Sequence, residues 1–408
     1  MRGSDELKEK AMRALQKPAL FGEDVNLGEF DRSFVPHAYM AQEEICRLPE
    51  KEQERLIMSG LDVTGKERDG TYFQKDTAVV HCSSLHEGIQ VMPIREALER
   101  HRWVEEYYWK LVPVDQDKYT ASAYLELHDG YVIRALPGSK SVYPIQACLY
   151  IDKENLQQNV HNLIIAEEGS ELHVIAGCAT SPRLQRGIHV GISEFLVKKG
   201  ARLSFTMIHN WAEEMAVRPR SVAHVEEDGL FVNNYICLKP VRSIQMYPTT
   251  HLLGDRATAM FYSVIVGSPG SNFDIGGRIH LLRPGARAEI IQRSISNGGH
   301  IVNRGHLIGK APEIKAHLEC KGLLLKGGVI DSIPQLEGHV EGVDMSHEAA
   351  VGKVSQEEIY YLMSRGLSES EATSTIVRGF LNVDIKGLPP ELKAEIDRAV
   401  AASDQDAL

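Results

Sequence analysis

The feature that most constrains this chain is a recurring run of alternating residues, each introduced by a glycine, between about Tyr119 and Met345. Gly169-Ser-Glu-Leu-His-Val-Ile-Ala is one such run, and Gly200-Ala-Arg-Leu-Ser-Phe-Thr-Met-Ile is another. Gly254-Asp-Arg-Ala-Thr-Ala-Met-Phe-Tyr and Gly285-Ala-Arg-Ala-Glu-Ile-Ile-Gln follow, with weaker members near Gly229, Gly309 and Gly327. Alternation with period 2 turns one face of each strand inward. The glycine supplies a tight turn, because positive φ costs it little. The spacings, from about 18 to about 31 residues, suit the turns of a β-solenoid better than hairpins of one fixed length. A β-sandwich is the alternative. Between Tyr119 and Met345 only Asp129-Gly130, Asp228-Gly229 and Asn297-Gly298 offer hairpin turn pairs, which favours the solenoid.

The flanks read differently. Residues 1–115 are mixed and partly helical: Leu7, Met12 and Leu15 fall at near-helical spacing, and Ala38 to Leu61 looks similar with Pro49 interrupting it. Asp69 to Ile94 is more strand-like, and Arg95 to Leu111 is again helical in pattern. Residues 116–347 form the solenoid core in this reading, and residues 348–408 a helical domain. There Ser355-x-x-Glu358 and Ser368-x-x-Glu371 both fit a capping box, with Gly366 ending the first helix. Leu392, Ile396 and Val400 line one face of a last helix after Pro389-Pro390.

Composition and absent motifs exclude several function classes. A net charge of −11 argues against general nucleic-acid binding, which needs a basic face. No apolar run reaches the roughly 18 residues of a membrane span, and MRGSDELKEK carries no apolar signal-peptide core, so a cytoplasmic location is expected. Six scattered cysteines without a CxxC pair imply free thiols rather than a disulfide framework or a zinc site. There is no G-x-x-x-x-G-K-[ST], so the chain is not itself a P-loop ATPase, and neither G-x-S-x-G nor H-E-x-x-H occurs. The glycine-rich Ser268 to Gly277 precedes no convincing helix and is read as a turn.

The residues that could carry chemistry cluster late in the chain. Cys320 lies in the strand-like run HLECKGLLLKGG, where Leu318 shares its face and His317 and Glu319 point the other way. Alone, it reads as a small buried hydrophobe. His347 and Glu348, alone, read as a solvated or capping pair. Together the three offer soft sulfur, borderline nitrogen and hard oxygen, a set able to hold iron with sulfide. Neighbours on one strand point to opposite faces, so a common site requires a turn or a second chain at that place. Cys237 and His209-Asn210-Trp211 read as core and as a strand-end cap. Ile359, Leu362 and Met363 fit helix packing, yet Tyr360 and Tyr361 broaden the apolar surface towards a partner groove.

HLECKGLLLKGG, MSHEAAVGKVSQEEIYYLMSRGLSESEA from Met345, and TSTIVRGF ending at Phe380 resemble the SufB/SufD family of iron–sulfur cluster assembly proteins. The likeness extends more loosely through Ser294 to Lys310 and Phe205 to Trp211, covering about residues 120 to 390. It implies a right-handed parallel β-helix, mainly β in class, with helical N- and C-terminal parts. It also implies a dimer joined where two β-helix ends meet, as a homodimer or with a SufD-like paralogue. A transient cluster would form there on Cys320, His347 and Glu348. The resemblance further implies a SufC-like ABC ATPase docked on Ser355 to Phe380, here through Tyr360, Tyr361, Met363, Arg365, Gly366, Val377, Gly379 and Phe380. The chain would then be a scaffold, not an enzyme, fed by a sulfur donor protein or sulfide. Asn210 matches an Asn lining the family's β-helix, and Cys237 falls near, but out of register with, the cysteine proposed to accept sulfur. A flavin is compatible with the family, but no residue signals one. The alternative is an adaptor of the ATPase that binds no cluster. One chain holding Cys320, His347 and Glu348 suits a homodimer.

Overall fold

The structure is a computed structural model that describes residues 2–325 and 327–381. Three strands, β1 (Gly70–Lys75), β2 (Ala78–Ser84) and β3 (Ile89–Pro93), open the sheet architecture. They are followed by β4 (Tyr131–Ala135), β5 (Ile145–Ile151), β6 (Gln157–Ala166), β7 (Glu171–Thr180) and β8 (Arg186–Val197). The middle turns carry β9 (Arg202–Asn210), β10 (Glu214–Val217), β11 (Arg220–Val225), β12 (Leu230–Cys237), β13 (Ser243–Met246) and β14 (Thr249–Leu252). The last are β15 (Thr258–Gly267), β16 (Asn272–Leu281), β17 (Arg287–Asn297), β18 (His300–Gly309), β19 (Lys315–Leu325), β20 (Val329–Gly338) and β21 (Asp344–Lys353).

Two sheets face each other, and the chain passes from one to the other at every turn. One sheet runs β2-β1-β5-β7-β9-β12-β15-β17-β19-β21. The other runs from β3 through β4, β6, β8, β11, β14 and β16 to β18 and β20, with β10 and β13 continuing β8 and β16 beside β11 and β14. From β4 onward the pairs within each sheet are parallel. This is a β-solenoid of about eight turns, as the glycine-led runs predict. Its interior is a continuous apolar column, with Leu172, Leu203, Phe231, Ala259, Ala288 and Ala316 stacked in register on one side. The helices among the described residues are α1 (Arg2–Ala14), α2 (Gln42–Ile45), α3 (Glu50–Met58), α4 (Ile94–Arg100), α5 (Lys118–Leu125), α6 (Gln356–Ser364) and α7 (Glu369–Leu381).

The turn chemistry is partly as expected. Gly169, Gly200, Gly285 and Gly327 all have positive φ. Gly309 instead lies within β18, and at Gly229 and Gly254 the left-handed residue is a neighbour, Asp228 and Arg256. Gly254 is needed for space, since a Cβ there would lie 1.9 Å from the Glu227 nitrogen. The strand register is therefore more regular than the glycine spacing: Gln292 and Cys320, for example, are 28 residues apart on paired positions.

Two boundaries differ from the sequence reading. Residues 1–115 belong to the solenoid rather than lying outside its core, because β1 pairs in parallel with β5 and β3 pairs with β4, so this region starts both sheets. The rest of it is clamped to the solenoid by Glu194 on β8, whose fully buried carboxylate accepts backbone N–H bonds from Trp109 (2.7 Å), Leu111 and Val112 (2.9 Å). At the other end β21 continues to Lys353, five residues past the expected start of the helical part. The second capping box is complete, with the Ser368 hydroxyl accepting from the Glu371 amide and Glu371 accepting from the Ser368 amide, whereas at the first only the Ser355 hydroxyl accepts from the Glu358 amide. The helix expected over Leu392 to Val400 lies outside the described residues.

Candidate functional site

The site is built on the last turns. On β19 the side chains alternate, with Leu318 and Cys320 buried in the interior column and His317, Glu319 and Lys321 on the outer face. Cys320 is 1% exposed, and its Sγ donates to the Gln292 Oε1 on the strand below at 3.0 Å. Burial pushes the thiol up to about 11, partly offset by the Ser332 hydroxyl. The parallel register sets Leu318 against His347, Glu319 against Glu348 and Cys320 against Ala349. His347 therefore extends the inner column of Leu318, in line with Met345, which packs on the core. Glu348 extends the outer column of Glu319. Its Oε1 meets the Lys321 Nζ at 3.0 Å, Lys321 also meets Glu319 at 3.1 Å, and Arg293 pairs with Glu319.

Cys320 and His347 thus share the inner face, on neighbouring strands, while Glu348 sits on the outer one. No turn interrupts β21, so one chain does not bring the three together. Among the described residues no three His, Cys, Asp or Glu side chains are grouped to hold a metal ion. Among the described residues the end itself is open: β20 and β21 each pair on one side only. His347 and Glu348 are exposed there, beside the apolar Val329, Ile333, Val340 and Val351.

The helical pair α6–α7 lies against the outer face of the same sheet. Val377 and the partly buried Phe380 join an apolar cluster with Ile208, Val264, Ile295 and Leu323, and the Arg293 guanidinium lies 5.9 Å from the Phe380 ring. Within the expected docking set these two are internal anchors, because burying them against the sheet is what holds the helices. Tyr360 (61% exposed), Tyr361 (59%) and Met363 (38%) face outward, as do Arg365 and Gly379. Arg365 is bonded to the Tyr361 hydroxyl at 3.3 Å, and Gly366 ends α6 with φ of 98°.

Asn210 and Cys237 are brought close along the chain register but placed on opposite faces. Cys237 is paired with His209 and buried in the interior, where desolvation lifts its thiol to about 12. Asn210, one residue on, faces outward and exchanges hydrogen bonds with Arg55 (3.3 and 3.4 Å) beside a cavity of about 600 Å³. Arg55, Asn210, Trp211, Glu214 and Lys239 contribute to its wall.

Sequence reasoning missed Gln292, Arg293 and Lys321, which orient the candidate side chains. The signal was available, since residues 28 apart stack in a solenoid of this period.

Residues 149–380 match the family described as SUF system FeS cluster assembly, SufBD core domain. An iron–sulfur cluster assembly SufBD family protein of Methanothermobacter thermautotrophicus (strain Winter) is 47% identical over 408 residues, covering 98% of each chain. One of Archaeoglobus fulgidus is 51% identical over 358 residues, covering 88% of this chain and 96% of its own. The iron–sulfur cluster assembly protein SufB of Bacillus subtilis is 29% identical over 394 residues, covering 93% and 84%.

Proposed function

The chain belongs to the SufBD family of the SUF iron–sulfur cluster assembly system, and from that premise we propose that it is a scaffold on which a cluster is built where two copies meet. The observation that carries this reading is the open last turn. It presents the His347 imidazole on the inner face and the Glu348 carboxylate on the outer face of the edge strand β21, with the Cys320 thiol buried on the adjoining strand of the same inner face. A second chain facing this end could bring its own donors beside them, which supplies what one chain lacks. A homodimer suffices, because each copy holds Cys320, His347 and Glu348; a SufD-like paralogue is the alternative second subunit.

The iron and sulfide are cargo. Cys320 binds iron as a thiolate, and its burial favours the neutral thiol, so the end must open for loading. An ABC-type ATPase docked on the outward Tyr360, Tyr361 and Met363 would supply that opening. Through Val377 and Phe380 its pull reaches the outer face of the sheet that carries Cys320. The chain itself would hold and release the cluster rather than hydrolyse nucleotide. Sulfur would come from a donor protein or free sulfide; Cys237 could relay it only through the interior, since Asn210 and the cavity lie on the other face. No helix among the described residues is long and apolar enough to cross a membrane, and a cytoplasmic setting fits the free thiols.

The second reading, an adaptor that binds no cluster, is favoured by the burial of Cys320 and the separation of Glu348 within one chain. Anaerobic reconstitution of the chain co-expressed with its ATPase distinguishes them. Iron and acid-labile sulfide are counted per dimer for wild type and Cys320→Ser. Both bound by wild type and lost in the variant is the expected result. Equal binding, or none in either, makes the chain an adaptor.

A further inference from the structure

A polar layer crosses the interior of the solenoid at Cys320. Gln292 and Ser294 on β17, Asn303 on β18 and Cys320 on β19 are each no more than 3% exposed. Asn303 continues the inner column of Ile275, and Ser332 on β20 stands beside it in register. Two hydrogen bonds join β17 to β18 here. The Gln292 Nε2 donates to the Arg304 carbonyl at 3.2 Å, and the Ser294 hydroxyl donates to the Asn303 Oδ1 at 2.9 Å.

These bonds leave donors over. With its Nε2 committed to Arg304, the Gln292 amide turns its oxygen to Cys320 and accepts the thiol proton at 3.0 Å. The Asn303 Nδ2 and the Ser332 Oγ are both buried and form no hydrogen bond with any described residue. The Ser332 hydroxyl nevertheless lies close enough to the Cys320 sulfur to favour its charged form. Buried polar groups are nearly always paired, so two leftover donors in one layer call for an acceptor. The thiol serves poorly, because neutral sulfur is a weak acceptor and its proton is already given to Gln292. Sulfur bound to iron is different. Iron takes the place of the proton, which leaves to solvent, and the sulfur then carries negative charge and only accepts. A layer that served packing alone would hold apolar side chains, since each leftover donor costs stability.

We propose that Ser332 and Asn303 are positioning residues that donate O–H and N–H hydrogen bonds to the iron-bound sulfur of Cys320 during cluster assembly. This rests on the scaffold reading given above and adds to it the groups that hold the loaded sulfur. In that state the Gln292 oxygen would face a negative sulfur. Its amide therefore turns over, releasing the Arg304 carbonyl and offering N–H in place of oxygen. The sulfur is held by one set of partners when empty and by another when loaded.

The test uses the full chain, co-expressed with its ATPase and reconstituted anaerobically with iron and sulfide. Its readouts are the midpoint potential of the bound cluster and the rate of iron release to a chelator. Hydrogen bonds to cluster sulfurs favour the more negative, reduced state and so raise the potential. Ser332→Ala with Asn303→Ala should therefore favour the oxidised cluster about tenfold, a fall of about 59 mV for a one-electron couple. Iron release should quicken by about tenfold, in line with the loss of outer-shell partners. Ser332→Thr keeps the hydroxyl and should restore most of the potential in the Asn303-intact chain. Ile330→Val alters only packing in the same inner column and should leave it unchanged. Circular dichroism checks folding, and if the double variant fails, Ser332→Ala carries the same test, since that half-buried residue loses only its hydroxyl. A bound cluster whose potential is the same without these donors, or an equal fall in Ile330→Val, overturns this proposal and leaves the scaffold reading standing. A wild-type chain that binds no cluster overturns both.

Discussion

Glu194→Gln tests how the N-terminal region is held to the solenoid. Both carboxylate oxygens are used: Oε1 accepts from Leu111 and Val112, while Oε2 accepts from Trp109 and lies 3.0 Å from the His161 Nε2. Glutamine keeps one carbonyl oxygen for Leu111 and Val112 but puts an NH₂ group against the Trp109 N–H. A donor then faces a donor in a fully buried place. A hydrogen bond to a charged acceptor contributes about 1.5–3 kcal/mol, and stranding a buried N–H costs about 1–3 kcal/mol. The two overlap, giving a loss of about 2–4 kcal/mol. At tenfold for each 1.4 kcal/mol, opening of this loop should become about 30- to 700-fold more frequent. Hydrogen exchange followed by mass spectrometry reads this directly. Peptides containing residues 109–112 should exchange faster by that factor, while those of β15 to β19 stay as they are. Unchanged protection at 109–112, or an equal rise throughout the chain, would refute a local clamp at Glu194.

Two further outcomes follow from the site. Burial raises the Cys320 thiol to about 11, so at pH 7 it is protonated and reacts slowly, with alkylation accelerating as pH climbs towards that value. Peptide mass spectrometry on the metal-free protein should therefore find exposed Cys46 modified first; equal rates at pH 7 would contradict the buried placement. Tyr360→Ala with Tyr361→Ala removes two outward rings and should change stability by no more than about 0.5 kcal/mol each. The same double change should abolish co-purification of the ATPase, and undiminished co-purification would move the docking face elsewhere.

The solenoid was legible because it writes its period into the chain. Leading glycines such as Gly169, Gly200 and Gly285 mark turns that need positive φ, and the alternation that follows fixes which face is inside. Leu318 and Cys320 point inward as the alternation of HLEC requires. At Gly229 and Gly254 the turn was marked but not its left-handed residue, which is Asp228 and Arg256 respectively. The part played by β1 to β3 was also hidden, since pairing of β1 with β5 is set by partners about 75 residues away and leaves no local mark. Within the site, the residue types were readable and their faces nearly so. The ladder that joins Arg293, Glu319, Lys321 and Glu348 was not, because it depends on which strand lies beneath which. The same holds for Val377 and Phe380, whose inward turn is decided by the sheet they meet rather than by the helix they belong to.

The two ends of the stack are unlike, and this limits how such molecules can associate. At the start, β2 and β3 run antiparallel to their neighbours, and the Met40 amide donates to the Val80 carbonyl on the outer side of β2. At the finish, β20 and β21 have, among the described residues, no partner on their outer edges. Rods with two receptive ends join head to tail and grow without limit. A rod with one stoppered end has a valence of one: once its free end is taken, nothing remains to add to. For the pairing of open ends proposed above, growth would halt at two copies, with the join at the centre of the pair.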